Sequence, residues 1–144
     1  MKSIVLAAAF GLALSGSALA QKPFTYPFDG TFDDATFAVE SAIVGQGLVI
    51  DYVSHVGEML NRTGADVGSD KKIFKNADIF LFCSAVISRQ VMEKDPMNIT
   101  YCPYGIFVME TDEGVIVGHE DYPDGPMQAV ENLMQQIVAE AIGN

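Results

Sequence analysis

IFVMETDEGVIVG, residues 106–118, contains two apolar runs separated by Asp112-Glu113-Gly114. The runs, Ile106–Glu110 and Val115–Gly118, are rich in residues that favour strands, and a short acidic turn ending in glycine joins them. This arrangement is typical of a β-hairpin. Because the strands of a hairpin pair antiparallel, the stretch predicts a sheet that is at least partly antiparallel.

The elements around the hairpin are helices and one further apolar strand. Ile79–Cys83 is a continuous apolar run that predicts a central strand, and Ser84 follows as the N-cap of a helix to about Lys94, where Asp95-Pro96 stops it. After the hairpin, the pattern predicts a long C-terminal helix capped by Asp124, with one apolar stripe made of Met127, Val130, Leu133, Met134, Ile137, Val138, Ala141 and Ile142.

The N-terminal half of the chain repeats the alternation of helix and strand. Thr31 is predicted to cap a helix that ends at Gly45 and Gly47. Residues 48–53 then predict a strand that is buried for most of its length, and residues 57–61 predict a short helix. The polar residues from Arg62 to Lys72 are expected to cross the surface.

The order of these elements is typical of an α+β domain. We expect a mainly antiparallel sheet with helices packed on one face and the long helix last. Residues 31–144 are assigned to this single domain, and residues 21–30 to an extended leader or an edge strand.

The N-terminus predicts export. Lys2 provides a positive start, Ile4–Leu14 is almost wholly apolar, and Ala18-Leu19-Ala20 resembles a cleavage site with small residues. Residues 1–20 are therefore interpreted as a signal peptide cleaved after Ala20, which places the protein in the periplasm or outside the cell. The apolar run is shorter than the roughly 20 residues of a membrane anchor, so none is expected.

The net charge of the chain restricts the binding partners that we expect. The chain has 8 Lys and Arg against 19 Asp and Glu, a net charge of −11. Such a protein repels phosphate backbones and anionic membrane surfaces, so nucleic acid is not an expected partner. The charge suits a soluble protein or one that meets a cationic partner, and the expected partner is a small ligand or another periplasmic protein.

Cys83 and Cys102 are the only cysteines of the chain. In an exported domain an even pair is typical of a disulfide, provided that the Cα atoms lie within about 7 Å. One cysteine ends a predicted strand and the other precedes one, which allows neighbouring positions.

A second interpretation uses the same cysteines for chemistry. Cys83 lies between a strand and a helix N-terminus, where backbone N–H groups stabilise a thiolate. With His55 added, Cys83 and Cys102 form a soft ligand set suited to copper, and haem is a further alternative. No ligand pair has diagnostic metal spacing, and His119 is predicted to lie in an exposed turn beside Glu120 and Asp121.

Three segments carry a family resemblance: residues 31–51 with His55, residues 76–82, and Cys102-Pro103-Tyr104 through Val108. The chain is similar over residues 31–122 to the family numbered 302 among domains of unknown function. The resemblance implies a compact α+β domain like one repeat of the TATA-binding-protein fold, often paired as a dimer. It implies neither DNA binding nor any catalytic residue.

Three functional hypotheses follow. The first is an exported, non-enzymatic binding or accessory domain with a Cys83–Cys102 disulfide and no cofactor. The second is a periplasmic redox or soft-metal protein that uses Cys83, Cys102 and His55. The third, ranked last, is a hydrolase-like enzyme whose site is not visible in the sequence.

Overall fold

The computed structural model describes residues 22–143 of the chain. A five-stranded sheet has the order β1-β5-β4-β3-β2, and each neighbouring pair of strands is antiparallel. The elements are β1 Phe24–Phe28, α1 Phe32–Gly45, β2 Val49–Ser54, α2 Val56–Thr63, β3 Asn76–Cys83, α3 Ala85–Lys94, β4 Tyr104–Thr111, β5 Gly114–His119 and α4 Gln128–Ala141, with short 3-10 helices at Ala65–Val67 and Pro96–Tyr101. The α+β prediction is confirmed.

Local sequence signals account for several element boundaries. The Thr31 hydroxyl accepts a hydrogen bond from the Asp34 amide, and the Asp34 carboxylate accepts one from the Thr31 amide, so a capping box starts α1. The Thr31 hydroxyl also donates to Asp34 Oδ2 at 2.6 Å, and this bond, followed by the one from the Thr31 amide, lowers the pKa of Asp34. Ser84 caps α3 by accepting from the Ile87 amide at 3.3 Å. The predicted hairpin is also confirmed, as β4 and β5 pair from Ile106 with His119 to Thr111 with Gly114.

The two edge strands of the sheet are β1 and β2. β2 is not buried for most of its length, because it pairs only with β3 and leaves Val49 75% and Tyr52 63% exposed. That prediction was wrong: an apolar run has the same composition at an edge as in the interior. Residues 24–28, for which a leader and an edge strand were both considered, form edge strand β1 along β5.

The hydrophobic core lies between the sheet and the helices α1 and α4. Side chains alternate between the faces of a strand, so Phe80 and Phe82 of β3 point into the core while Leu81 stays half-buried on the opposite face. From the helices, Val39 of α1 and Ile137 of α4 are fully buried. Helix packing on one face of the sheet is therefore what closes the core.

The long helix α4 begins later than the sequence predicts. Asp124 does not cap it: the N-cap position is Met127, which makes no side-chain capping bond. Gly125, with φ +92°, directs the chain through a turn in which the Gln128 amide donates to the Gly125 carbonyl. This turn separates Asp124 from the helix.

The predicted signal peptide, residues 1–20, lies outside the described residues. Between residues 22 and 143, no helix has the length and apolar character needed to cross a membrane.

Candidate functional site

The two cysteines form a disulfide. Cys83 ends β3, and Cys102 lies between the 3-10 helix Pro96–Tyr101 and β4. Their Cα atoms are 6.4 Å apart, and the structure describes no free cysteine in residues 22–143. The predicted pairing is confirmed, and it closes a segment that contains all of α3.

His55 lies far from this disulfide. Cys83 pairs with Val49 at one end of the β2–β3 ladder, whereas Ser54, next to His55, pairs with Ile79 near the other end. Along β3, Cys83 and Ile79 are four residues apart, which at about 3.3 Å per residue separates the two ends of this ladder by roughly 13 Å. The structure therefore does not bring His55 together with the cysteines. Within the described part of the chain, no three His, Cys, Asp or Glu residues are placed to hold a metal ion.

His55 instead pairs with Asp78. Its Nδ1 lies 2.8 Å from Asp78 Oδ1, joining residues 23 positions apart. An ionised carboxylate only accepts hydrogen bonds, so Nδ1–H donates to Asp78 and the tautomer of the neutral ring is fixed. The imidazole is 59% exposed and the Asp78 side chain only 16%, so a half-buried carboxylate orients a ring that faces solvent. Nε2 is then the atom offered to a ligand.

A groove of about 580 Å³ opens beside this pair. Helix α2 contributes Glu58, Asn61 and Arg62 to its lining, and the start of β3 contributes Asn76 and Asp78. The remaining lining residues are Phe32, His55, Lys75 and Ala77. The groove thus combines an imidazole, two carboxamides and charges of both signs with an aromatic ring, which are groups suited to recognising a polar small molecule.

The position of α2 determines the geometry of this groove. Gly57 is buried at the start of the helix, where a Cβ atom would lie 2.5 Å from the Ala77 amide nitrogen of β3. Only the missing side chain permits this approach of helix to strand. The close contact places Arg62 and Glu58, on α2, beside Asp78.

A second polar cluster is buried under edge strand β1. His119 ends β5 and is 0% exposed, so its prediction as part of an exposed turn was wrong. Its Nδ1 lies 2.8 Å from the Glu120 carbonyl and 3.9 Å from Glu131 Oε1, and the Phe24 ring stacks on it with centroids 5.3 Å apart. The position of β5 between β1 and β4 buries the residue, although its neighbours Glu120 and Asp121 in the sequence predict exposure.

Tyr122 belongs to the same cluster. It is 1% exposed, its amide donates to the buried Glu131 carboxylate at 3.1 Å, and its Oη has no hydrogen-bond partner in residues 22–143. Burial, and after it the negative charge of Glu120, disfavour the phenolate and raise the pKa of Tyr122 far above its usual value.

We expect Tyr122→Phe to reduce the loss of stability in alkali. A pKa raised in the folded state gives stability that is complete below the unfolded value of about 10 and is lost as pH rises above it. The urea midpoint of the variant should therefore fall less than that of the wild type between about pH 8 and pH 11. Near pH 7 the phenol is protonated in both the folded and the unfolded protein, so the difference between the two midpoints should not change with pH there.

Tyr52→Phe is the matched control, since Tyr52 is 63% exposed and its variant should follow the wild-type curve. Equal alkaline losses in wild type and Tyr122→Phe would contradict the assignment.

The sequence points to His55 only as a candidate metal ligand together with Cys83 and Cys102, and it does not reveal the residues that surround the imidazole in the groove. Asp78 immediately precedes the apolar run of β3, and a carboxylate at the start of a buried strand is a signal in the sequence that could have pointed to a functional residue. Its pairing with His55 depends on the register of β2 against β3, which no local pattern specifies. Arg62 and Lys75 lie in or beside the polar segment that we assigned only to the surface.

Comparisons with known proteins show the family. The family described as "Domain of unknown function DUF302" matches residues 24–143. The fold is similar to that of an uncharacterized conserved protein DUF302 from Bacillus stearothermophilus, with a TM-score of 0.67 at 12% identity over 84% of this chain and 95% of that one. No curated protein matches the sequence. The match extends from β1 to the second residue after α4, and the chain belongs to the family of domain of unknown function DUF302.

Proposed function

We propose that this protein is an exported, non-enzymatic binding domain that is stapled by the Cys83–Cys102 disulfide and holds a small ligand in the groove beside His55. The observation that carries the proposal is the His55–Asp78 pair, in which a half-buried carboxylate fixes a solvent-facing imidazole at the edge of a 580 Å³ groove. Such preorganisation lowers the entropic cost of binding.

Export is supported by two independent features. Residues 1–20 have the pattern of a signal peptide. The disulfide is typical of proteins that fold in an oxidising compartment. The strongly acidic composition is compatible with a protein that anionic membrane surfaces repel.

A binding role fits the groove better than nucleophilic catalysis. The nine lining residues offer imidazole, carboxamide, carboxylate, ammonium and guanidinium groups, and none of the nine carries a hydroxyl or thiol. Serine, threonine and cysteine nucleophiles need such a group next to the base that activates them. The soft-metal alternative requires thiolates at Cys83 and Cys102, and both sulfur atoms are engaged in the bridge. Pairing as a homodimer stays a prediction of the family resemblance.

Ligand-dependent NMR shifts test the proposal. We expect some members of a panel of small anionic, neutral and cationic compounds to shift the amide resonances of the exported protein around His55, Arg62 and Asn76. His55→Ala should weaken these responses. Gln90→Ala, an exposed change on α3, should leave them intact. If no compound shifts groove resonances, or if responses cluster elsewhere and ignore His55→Ala, the groove is not the binding site.

A further inference from the structure

The basic residues of this acidic protein are concentrated in one segment. Residues 62–75 contain Arg62, Lys71, Lys72 and Lys75 with two aspartates, a net charge of +2. The other described residues carry three basic and seventeen acidic side chains, a net charge of −14. The chain therefore presents a single basic segment against a negative remainder, which focuses an anion on that segment.

The four basic side chains of this segment line three neighbouring grooves. Arg62 and Lys75 line the 580 Å³ groove beside His55. Lys71 and Lys72 line a second groove of about 390 Å³ together with Asp70, and Asn61 borders both grooves. A smaller groove of about 160 Å³ is lined by Lys72, Lys75 and Asp112. Shared lining residues thus place the three grooves side by side, and we refer to them together as the depression.

Most of these charges are available to a ligand. Within residues 22–143, no carboxylate lies within 4 Å of the charged groups of Arg62, Lys71 or Lys72. Lys75 Nζ is 3.2 Å from Asp112, whose side chain is 97% exposed, so solvent screens this pair strongly. Of the two carboxylates in the His55 groove, Asp78 is engaged by the imidazole and Glu58 lies one helical turn before Arg62.

We propose that the depression binds a small ligand with two anionic groups, one held by Arg62 with Lys75 and the other by Lys71 with Lys72. The inference rests on the proposed binding function and names its ligand class. Arginine recognises carboxylate and phosphate oxygens bidentately, so both chemistries fit the Arg62 end. An extended polyanion does not fit, because it would run from this short segment onto a surface of net charge −14.

Titration of the exported protein at low ionic strength tests the ligand class. The probes are glutarate, inorganic phosphate and glutaramide, the uncharged diamide of glutarate. We expect glutarate or phosphate to shift resonances between Asn61 and Lys75, with an affinity that falls as salt is added, and glutaramide to cause no shift. Glutarate carries two anionic groups and inorganic phosphate only one, so we expect glutarate to bind more tightly, and equal affinities would overturn the two-group assignment.

Charge-matched variants locate the site. Lys71→Gln/Lys72→Gln and Arg62→Gln should each weaken anion binding by about tenfold. Glu58→Gln, which removes a negative charge from the same groove, should strengthen it. Arg89→Gln/Lys94→Gln changes the net charge as much as the lysine pair but lies on α3, which follows the opposite end of β3, so it should have little effect.

The outcomes separate the two proposals. If Arg89→Gln/Lys94→Gln weakened anion binding as much as Lys71→Gln/Lys72→Gln, or if glutaramide bound as tightly as glutarate, the ligand would not be an anion. The groove would still stand as a binding site. Shifts of groove resonances caused by neutral or cationic panel compounds, with no shift caused by glutarate or phosphate, would also overturn the proposal of an anionic ligand. An absence of any groove response would overturn the binding function itself.

Discussion

Reduction of the Cys83–Cys102 disulfide is expected to lower the free energy of unfolding by roughly 3 kcal/mol. The bridge spans a sequence separation of 19 residues, and the loss reflects the conformational freedom that the unfolded chain regains. For a domain of this size the melting temperature should fall by about 10 °C. The enclosed segment contains α3, so its amides should lose exchange protection first.

Urea unfolding with and without reductant measures this effect. The double variant Cys83→Ala/Cys102→Ala should match the reduced wild type in its midpoint and should no longer respond to reductant. A reductant that breaks the bridge without moving the midpoint would show that the disulfide does not staple the fold.

Gly57→Ala is expected to destabilise the domain and disturb the groove together. The new Cβ would lie 2.5 Å from the Ala77 nitrogen and 3.1 Å from the Asn76 carbonyl carbon, both backbone atoms. Backbone cannot rotate away as a side chain does, so α2 must move off β3. Overpacking of this kind costs about 1–3 kcal/mol. Because α2 carries Arg62, ligand-induced shifts around His55 should weaken as well.

Gly45→Ala is the matched control for this change. Gly45 ends α1, and the nearest atom to a new Cβ is Glu140 Oε1 at 3.2 Å, the mobile end of a side chain. Alanine also favours helix over glycine, so this variant should be neutral or slightly stabilising in urea unfolding. Similar stability and ligand response for the two variants would contradict the proposed role of the Gly57–Ala77 contact.

Apart from the Asp124 cap of α4, the parts of the fold that depend on neighbouring residues were predicted correctly. The Thr31 and Ser84 caps and the turn at Asp112-Glu113-Gly114 involve groups within a few positions of one another. The Cys83–Cys102 pairing also follows from the small number of cysteines together with two strand ends. In each case the sequence contains both partners and the physical reason for their contact.

The parts that depend on strand order were not predictable in the same way. The apolar run of β2 does not reveal that it has one neighbour, and His119 does not reveal that β1 covers it. The His55–Asp78 pair requires two strands, a connecting helix and one register among several. In the sequence, the side chains of Arg62, Lys71, Lys72 and Lys75 are typical of a solvated surface, and only the fold shows that they line neighbouring grooves.

The mass of the protein recovered from a bacterial host after expression of the full chain tests the exported, disulfide-stapled domain most directly. We predict a chain that begins at Gln21 and is two hydrogens lighter than its reduced form, with no thiol that reacts before reduction. A chain that retains residues 1–20 and has two reactive thiols would contradict both export and the staple.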